Sequence, residues 1–112
     1  MTKHSDVIQE NILNLVTFLS RHKMNTVQEW DDFKLQFNEV FPLFLHKIKV
    51  RSYKLSSAEE RLIMLEKIHF DTKQIAKTLH ILPESVHTSR YRLRKKMNCP
   101  NTMDIVTYLD HS

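Results

Sequence analysis

Glycine is absent from all 112 residues. Without it the chain has no ready residue for left-handed turns or for close approach of backbone to a ligand. Tight glycine turns are therefore missing, and an all-α fold is favoured. Glycine loops that cradle phosphates and glycine-rich dinucleotide fingerprints are missing for the same reason. Only three prolines interrupt the chain, and apolar residues between the breaks recur at i, i+3 and i+4, the period of a helix.

The first such stretch, Asp6–His22, carries Val7, Ile8, Ile12, Leu15, Val16, Phe18 and Leu19, with Asp6 and Gln9 placed to cap its start. This stripe is wide for a peripheral helix and suits either packing within the domain or a dimer or upstream-domain contact. After a polar break at 21–25, Thr26-x-x-Glu29 has capping-box spacing and opens a second helix, whose face is Val27, Trp30, Phe33, Phe37, Val40 and Phe41. Pro42 suits the first turn of a third helix, Pro42–Lys49, which presents Leu43, Phe44, Leu45 and Ile48. Residues 50–55 read as a linker. The expected organisation is thus an N-terminal helical extension over 1–54, serving dimerisation or connection to an upstream domain, and a second domain over 55–112.

In that second domain Ser56-x-x-Glu59 and Ser57-x-x-Glu60 both have capping-box spacing, ahead of a helix burying Leu62, Ile63, Leu65 and Ile68. Asp71 or Thr72 caps a short helix with Gln74 at the reciprocal position and Ile75, Ala76 and Leu79 inward. Asn101 is expected to cap a last helix, Thr102–Leu109, with Met103, Ile105, Val106 and Leu109 inward.

Between these lies Ser85–Met97, SVHTSRYRLRKKM. Five of the seven residues from Arg90 to Lys96 are cationic. Residues 83–97 hold those five cations and one acid, Glu84, a local excess equal to the +4 of the whole chain. A short helix, a tight connection at His80–Pro83 and a basic helix form the outline of a helix-turn-helix, whose second helix enters the DNA major groove. On a wheel of about 100° per residue, Glu84, His87, Thr88, Tyr91 and Lys95 share one side, and Val86, Leu93 and Met97 the opposite side. The expected recognition helix, 84–97, therefore offers His87, Thr88 and Tyr91 to base edges from its N-terminal half. Arg92, Arg94, Lys95 and Lys96 flank that face as phosphate contacts, joined by Lys73 and Ser85 at helix starts. Arg90 falls on the edge of the apolar side and is expected to form a structural pair with Glu59 or Glu60.

Other functions find little support. His4, His22, His46, His69, His80, His87 and His111 are scattered and make no metal-ligand spacing. Cys99 is the sole cysteine, with no evident base partner for nucleophilic catalysis, and one thiol suits a reducing cytoplasm. No enzyme, metal or cofactor is expected. No apolar run approaches the ~18 residues of a membrane span, so no membrane contact is expected of this segment.

Leu55-Ser-Ser-Ala-Glu59, Lys73-Gln-Ile75-Ala76, Ser85-Val86 and Lys96-Met97 together resemble the LuxR/GerE-type helix-turn-helix. SVHTSRYRLRKKM and the upstream WDDFKLQFNEVFPLFLHKI are closer still to the C-terminal domain of Bacteroidetes-type transcriptional regulators. The resemblance covers about residues 30–109. It implies a DNA-binding transcriptional regulator, or its C-terminal DNA-binding fragment, in a winged-helix-like superfamily, with a sensor, repeat or membrane-anchored part upstream in a longer protein. It also points to His87, Thr88 and Tyr91. Three departures stand out. Leu82 replaces the usual serine or threonine cap, at a loss of ~1 kcal/mol. His69-Phe70 stands where a glycine is common. His87 replaces a frequent lysine, which weakens the DNA contact near neutral pH or makes it pH-sensitive. The expected partner is double-stranded DNA, bound by a homodimer in the cytoplasm. The rival expectation is a protein-interaction module or sigma-factor-like domain that docks the basic helix on the transcription machinery.

Overall fold

In a computed structural model of the chain, residues 3–51 and 53–111 are described, apart from the side chains of 3–6 and 8. The described residues form seven helices and no strand. They divide into two compact units, 1–42 and 43–112.

The first unit is a pair of packed helices, α1 (Lys3–Arg21) and α2 (Val27–Val40). Helix α1 starts ahead of Asp6, the expected cap; the side chains of Asp6 and Ile8 lie outside the described residues. Thr26 caps α2 through a complete capping box with Glu29. Burial of Glu29 works to raise its pKa, but bonds from the Thr26 hydroxyl and from the Asn25, Met24 and Thr26 backbone bring it below the ordinary carboxylate range. The core is aromatic. Trp30 meets Phe33 edge-on with ring centroids 5.8 Å apart, and Phe33 in turn neighbours Phe18 and Phe37. The Trp30 indole N–H donates to the Met24 carbonyl at 3.0 Å, which satisfies the polar atom that burial would otherwise strand. Val27, expected on the buried face, is exposed. It is the first residue of the helix, one turn outside the ring stack.

The second unit holds α3 (Phe44–Val50), α4 (Ser57–Lys67), α5 (Thr72–Leu79), α6 (Pro83–Lys96) and α7 (Ile105–Asp110). Helix α3, which the sequence reading places with the extension, belongs to this unit and packs on α7. The linker expected at 50–55 is shifted, since Val50 belongs to α3 and α4 begins only at Ser57; Ser52 lies outside the described residues. Helix α4 is the hub, packed against α5, α6 and α7. Four consecutive residues, Leu62, Ile63, Met64 and Leu65, are buried, so α4 is enclosed over more than one face. Ser56, not Ser57, caps it, with Glu59 closing the box. Ile75 and Ala76 of α5 and Val86 and Leu93 of α6, with Met97, complete the core.

Without glycine, the left-handed backbone positions among the described residues fall to Met24, His69, His80 and Asn98. Asparagine and histidine are among the side chains that tolerate this region best. His69 and His80 end α4 and α5, where Phe70 N–H donates to Leu65 O and Ile81 N–H to Ala76 O, the six-to-one bond of a left-handed helix cap.

The last helix corrects one expectation. Asp104, not Asn101, caps α7, accepting from the Thr107 N–H at 2.9 Å and the Thr107 hydroxyl at 2.8 Å. Residues 100–103 form a turn instead, in which Met103 N–H donates to Pro100 O. The Thr107 bonds hold the Asp104 carboxyl below its ordinary pKa.

Candidate nucleic-acid interface

Helices α5 and α6 form the site, joined by a connection at 80–82. Asp71 caps α5 and Gln74 returns the bond, a complete box. Small Ala76 of α5 is buried, and α5 packs on α6. Helix α6 begins at Pro83 after Leu82, whose side chain makes no cap bond. Proline at this position has no N–H to leave unpaired and a preset φ.

The two sides of α6 separate cleanly. Val86, Leu93 and Met97 are fully buried. Glu84, His87, Thr88, Tyr91 and Lys95 are exposed along the other side. His87, Thr88 and Tyr91 thus lie on one open surface, with Tyr91 58% exposed. The Thr88 hydroxyl donates to the Glu84 carbonyl one turn back at 3.2 Å, so its oxygen is left as an acceptor. The Lys95 ammonium sits 5.2 Å from the centre of the Tyr91 ring, a cation–π contact that orders both side chains at the surface.

The cations of this surface have unequal surroundings. Lys73 and Ser85, at the starts of α5 and α6, are exposed, as are Arg92 and Lys95. Arg94 is turned aside, with a guanidinium nitrogen donating to the Pro100 carbonyl in the loop before α7. Lys96 donates to the Lys54 carbonyl and to Glu59, both at 2.7 Å. Partial burial acts to raise the Glu59 pKa, but Lys96 and the Ser56 cap bonds together hold it below the ordinary carboxylate range.

Arg90 forms its pair with Glu66 and not with Glu59 or Glu60. Its Nε and Nη2 both donate to the Glu66 carboxylate, and Nη1 donates to the Thr72 hydroxyl at 2.7 Å. One guanidinium therefore ties the end of α4, the start of α5 and the middle of α6. Helix direction explains the correction. The ion pairs Glu59–Lys96 and Glu66–Arg90 link α4 and α6, and their order reverses between the helices. The helices cross in opposite senses, so the start of α4 meets the end of α6. Sequence reasoning missed Glu66 and Thr72 for that reason. The available signal was Glu66 lying seven residues after Glu59, about two turns along the same face.

Near the far end of α6, burial pushes the Cys99 thiol above its ordinary pKa, and its Sγ donates to the Met103 carbonyl at 3.3 Å. A protonated, buried thiol is a packing group, not a nucleophile. Among the described residues no helix is long and apolar enough to cross a membrane.

A short capped helix, a tight left-handed turn and a longer basic helix with an exposed polar face define a helix-turn-helix DNA-binding module. Residues 57–109, which span α4 to α7, match the family described as bacterial regulatory proteins, luxR family. Residues 57–109 therefore form a GerE/LuxR-type helix-turn-helix domain, which supports a DNA-binding role in transcriptional regulation. No match was found among curated proteins or among solved structures.

Proposed function

We propose that the protein regulates transcription by laying α6 in the major groove of double-stranded DNA as a homodimer, each copy reading one half-site. The observation that carries this reading is the division of α6: a buried apolar side, an exposed polar tip at His87, Thr88 and Tyr91, and exposed cations beside that tip. His87 offers a ring N–H to guanine acceptors, the Thr88 oxygen meets an adenine or cytosine amino group, and Tyr91 covers a thymine methyl or donates its hydroxyl. Lys73, Ser85, Arg92 and Lys95 hold phosphates and set register. Arg94 and Lys96 contribute less grip than charge alone suggests, because each is engaged within the protein. The N-terminal unit serves dimerisation or connects the domain to an upstream part of a longer regulator. Work on bacterial DNA places the protein in the cytoplasm.

Fluorescence anisotropy with duplex DNA across a salt series tests the reading. Affinity should fall steeply with salt, and Arg92→Ala and Lys95→Ala should each reduce the log–log slope by about 0.9. Binding that is absent even at low salt overturns it and favours a protein partner for the basic helix.

A further inference from the structure

Lys96 is a candidate phosphate cation that meets the chain entering the DNA-binding domain. Its ammonium donates to the Lys54 carbonyl and the Glu59 carboxylate, both at 2.7 Å. Beside it, the Tyr53 hydroxyl donates to the carbonyl of Met97, the residue that ends α6. Tyr108 of α7 shares a side-chain hydrogen bond with Tyr53, which holds the Tyr108 phenol above its ordinary pKa. Segment 53–54, between α3 and α4, is thus fastened to the end of the recognition helix. The two fastenings differ in kind. Tyr53 holds by neutral bonds to backbone and phenol. Lys96 holds by charge, on a side chain that is 39% exposed at the flank of the basic helix.

We propose that Lys96 is a shared cation, fastening segment 53–54 to α6 in the free protein and moving to a backbone phosphate when DNA binds. This rests on the DNA-binding reading above and adds regulation to it. Two of the three ammonium N–H groups are spent on Lys54 and Glu59, and the Glu59 carboxylate competes with a phosphate for the same positive charge. Tyr53 stays on Met97 and acts as the pivot, while the peptide after it is released. Coupling of this kind is reciprocal. A change upstream that draws residue 54 away from α6 frees Lys96 and tightens DNA binding; DNA, by taking Lys96, loosens the segment that leads to α3. The entry segment becomes a route by which an upstream part can tune grip without touching the reading face.

The test uses the full 112-residue chain and a duplex to which the wild type binds with salt dependence. Hydrogen exchange at residues 54–55 should become several-fold faster in the DNA complex than in the free protein. Lys96→Ala should lower the salt slope by about 0.9. Glu59→Gln keeps the capping box, since glutamine serves as well as glutamate there, yet removes the competing charge. It should bind DNA several-fold tighter than Glu60→Gln, which makes the same charge change one residue away. Exchange at 54–55 that is unchanged or slower on DNA overturns the proposal, as does a Lys96→Ala slope equal to wild type. The exchange measurement needs no variant, so a folding defect in any mutant leaves the question decidable. Failure of the wild type to bind any duplex would instead sink the DNA-binding reading itself.

Discussion

Helices α5 and α6 are the two arms of one motif, yet they are secured in opposite ways. Helix α5 is closed locally: Asp71 and Gln74 cap its start, and His80 ends it in the left-handed conformation. Helix α6 has no side-chain cap. It is held along its length by charged side chains that reach other elements: Arg90 to Glu66 and Thr72, Arg94 to Pro100, Lys96 to Glu59 and Lys54. The ends of one arm are closed by its own sequence, while the other arm is fastened by its tertiary setting. Part of the basic charge of α6 is accordingly spent within the fold, and under the proposed function counting cations overstates the grip on DNA.

The contrast is tested most severely at Arg90. Arg90→Ala leaves the Glu66 carboxylate partly buried without its partner and removes the bond to Thr72. Breaking a buried pair costs about 3–5 kcal/mol, and the residual exposure of both side chains, 26% and 16%, reduces this to about 2 kcal/mol. Arg92→Ala, two residues on, should change stability by no more than about 0.5 kcal/mol while weakening DNA binding. Urea denaturation of both variants checks the pair. Equal loss of stability in the two would mean that α6 is not held by this fork.

Local closure predicts smaller effects. Asp71→Ala removes the cap of α5 and should cost about 1 kcal/mol. Leu82→Thr should do the reverse for α6, because residue 82 already has the extended backbone of a cap and its side chain is 66% exposed. A gain of roughly 0.5–1 kcal/mol in thermal denaturation is expected. A Leu82→Thr protein no more stable than wild type would show that the missing cap bond is already replaced. His69→Gly probes the same economy. His69 holds φ 65 at the end of α4, and glycine there relieves steric cost, offset by its greater freedom when unfolded, for a net gain up to about 1 kcal/mol.

How much of this was legible follows from how local each feature is. The boxes at Thr26, Ser56 and Asp71 depend on four adjacent residues; spacing alone places the first and narrows the others to adjacent pairs, Ser56 or Ser57 and Asp71 or Thr72. The buried side of α6 follows from periodicity, as Val86, Leu93 and Met97 confirm. The absence of glycine pointed to helices but not to where left-handed residues would be tolerated, since any of several histidines and asparagines can take that role. The partner of Arg90 was illegible because it depends on the direction in which α4 crosses α6. The start of α7 was misplaced because Asn101 and Asp104 are both competent caps. A bond from Arg94 to the Pro100 carbonyl, made across the fold, accompanies the turn that keeps 100–103 out of the helix.

The smallest effect expected is a pH dependence that separates these caps and pairs from the reading face. Asp104 is held below its ordinary pKa by its bonds with Thr107, and Glu59, despite partial burial, by Lys96 and the Ser56 cap. A carboxyl with a depressed folded-state pKa takes up its proton more readily when unfolded. Its contribution is present above the unfolded value, about 4, and is lost as pH falls through the folded value. Stability should therefore hold from neutral pH to about pH 4 as far as these two groups are concerned, and decline below it. Asp104→Asn keeps a competent cap, since asparagine ranks with aspartate at that position, but removes the titrating group. Its thermal midpoint should drop less between pH 5 and pH 3 than that of the wild type. A drop of equal size would mean that Asp104 takes no part in the acid limb and that charge on α7 is incidental to its cap.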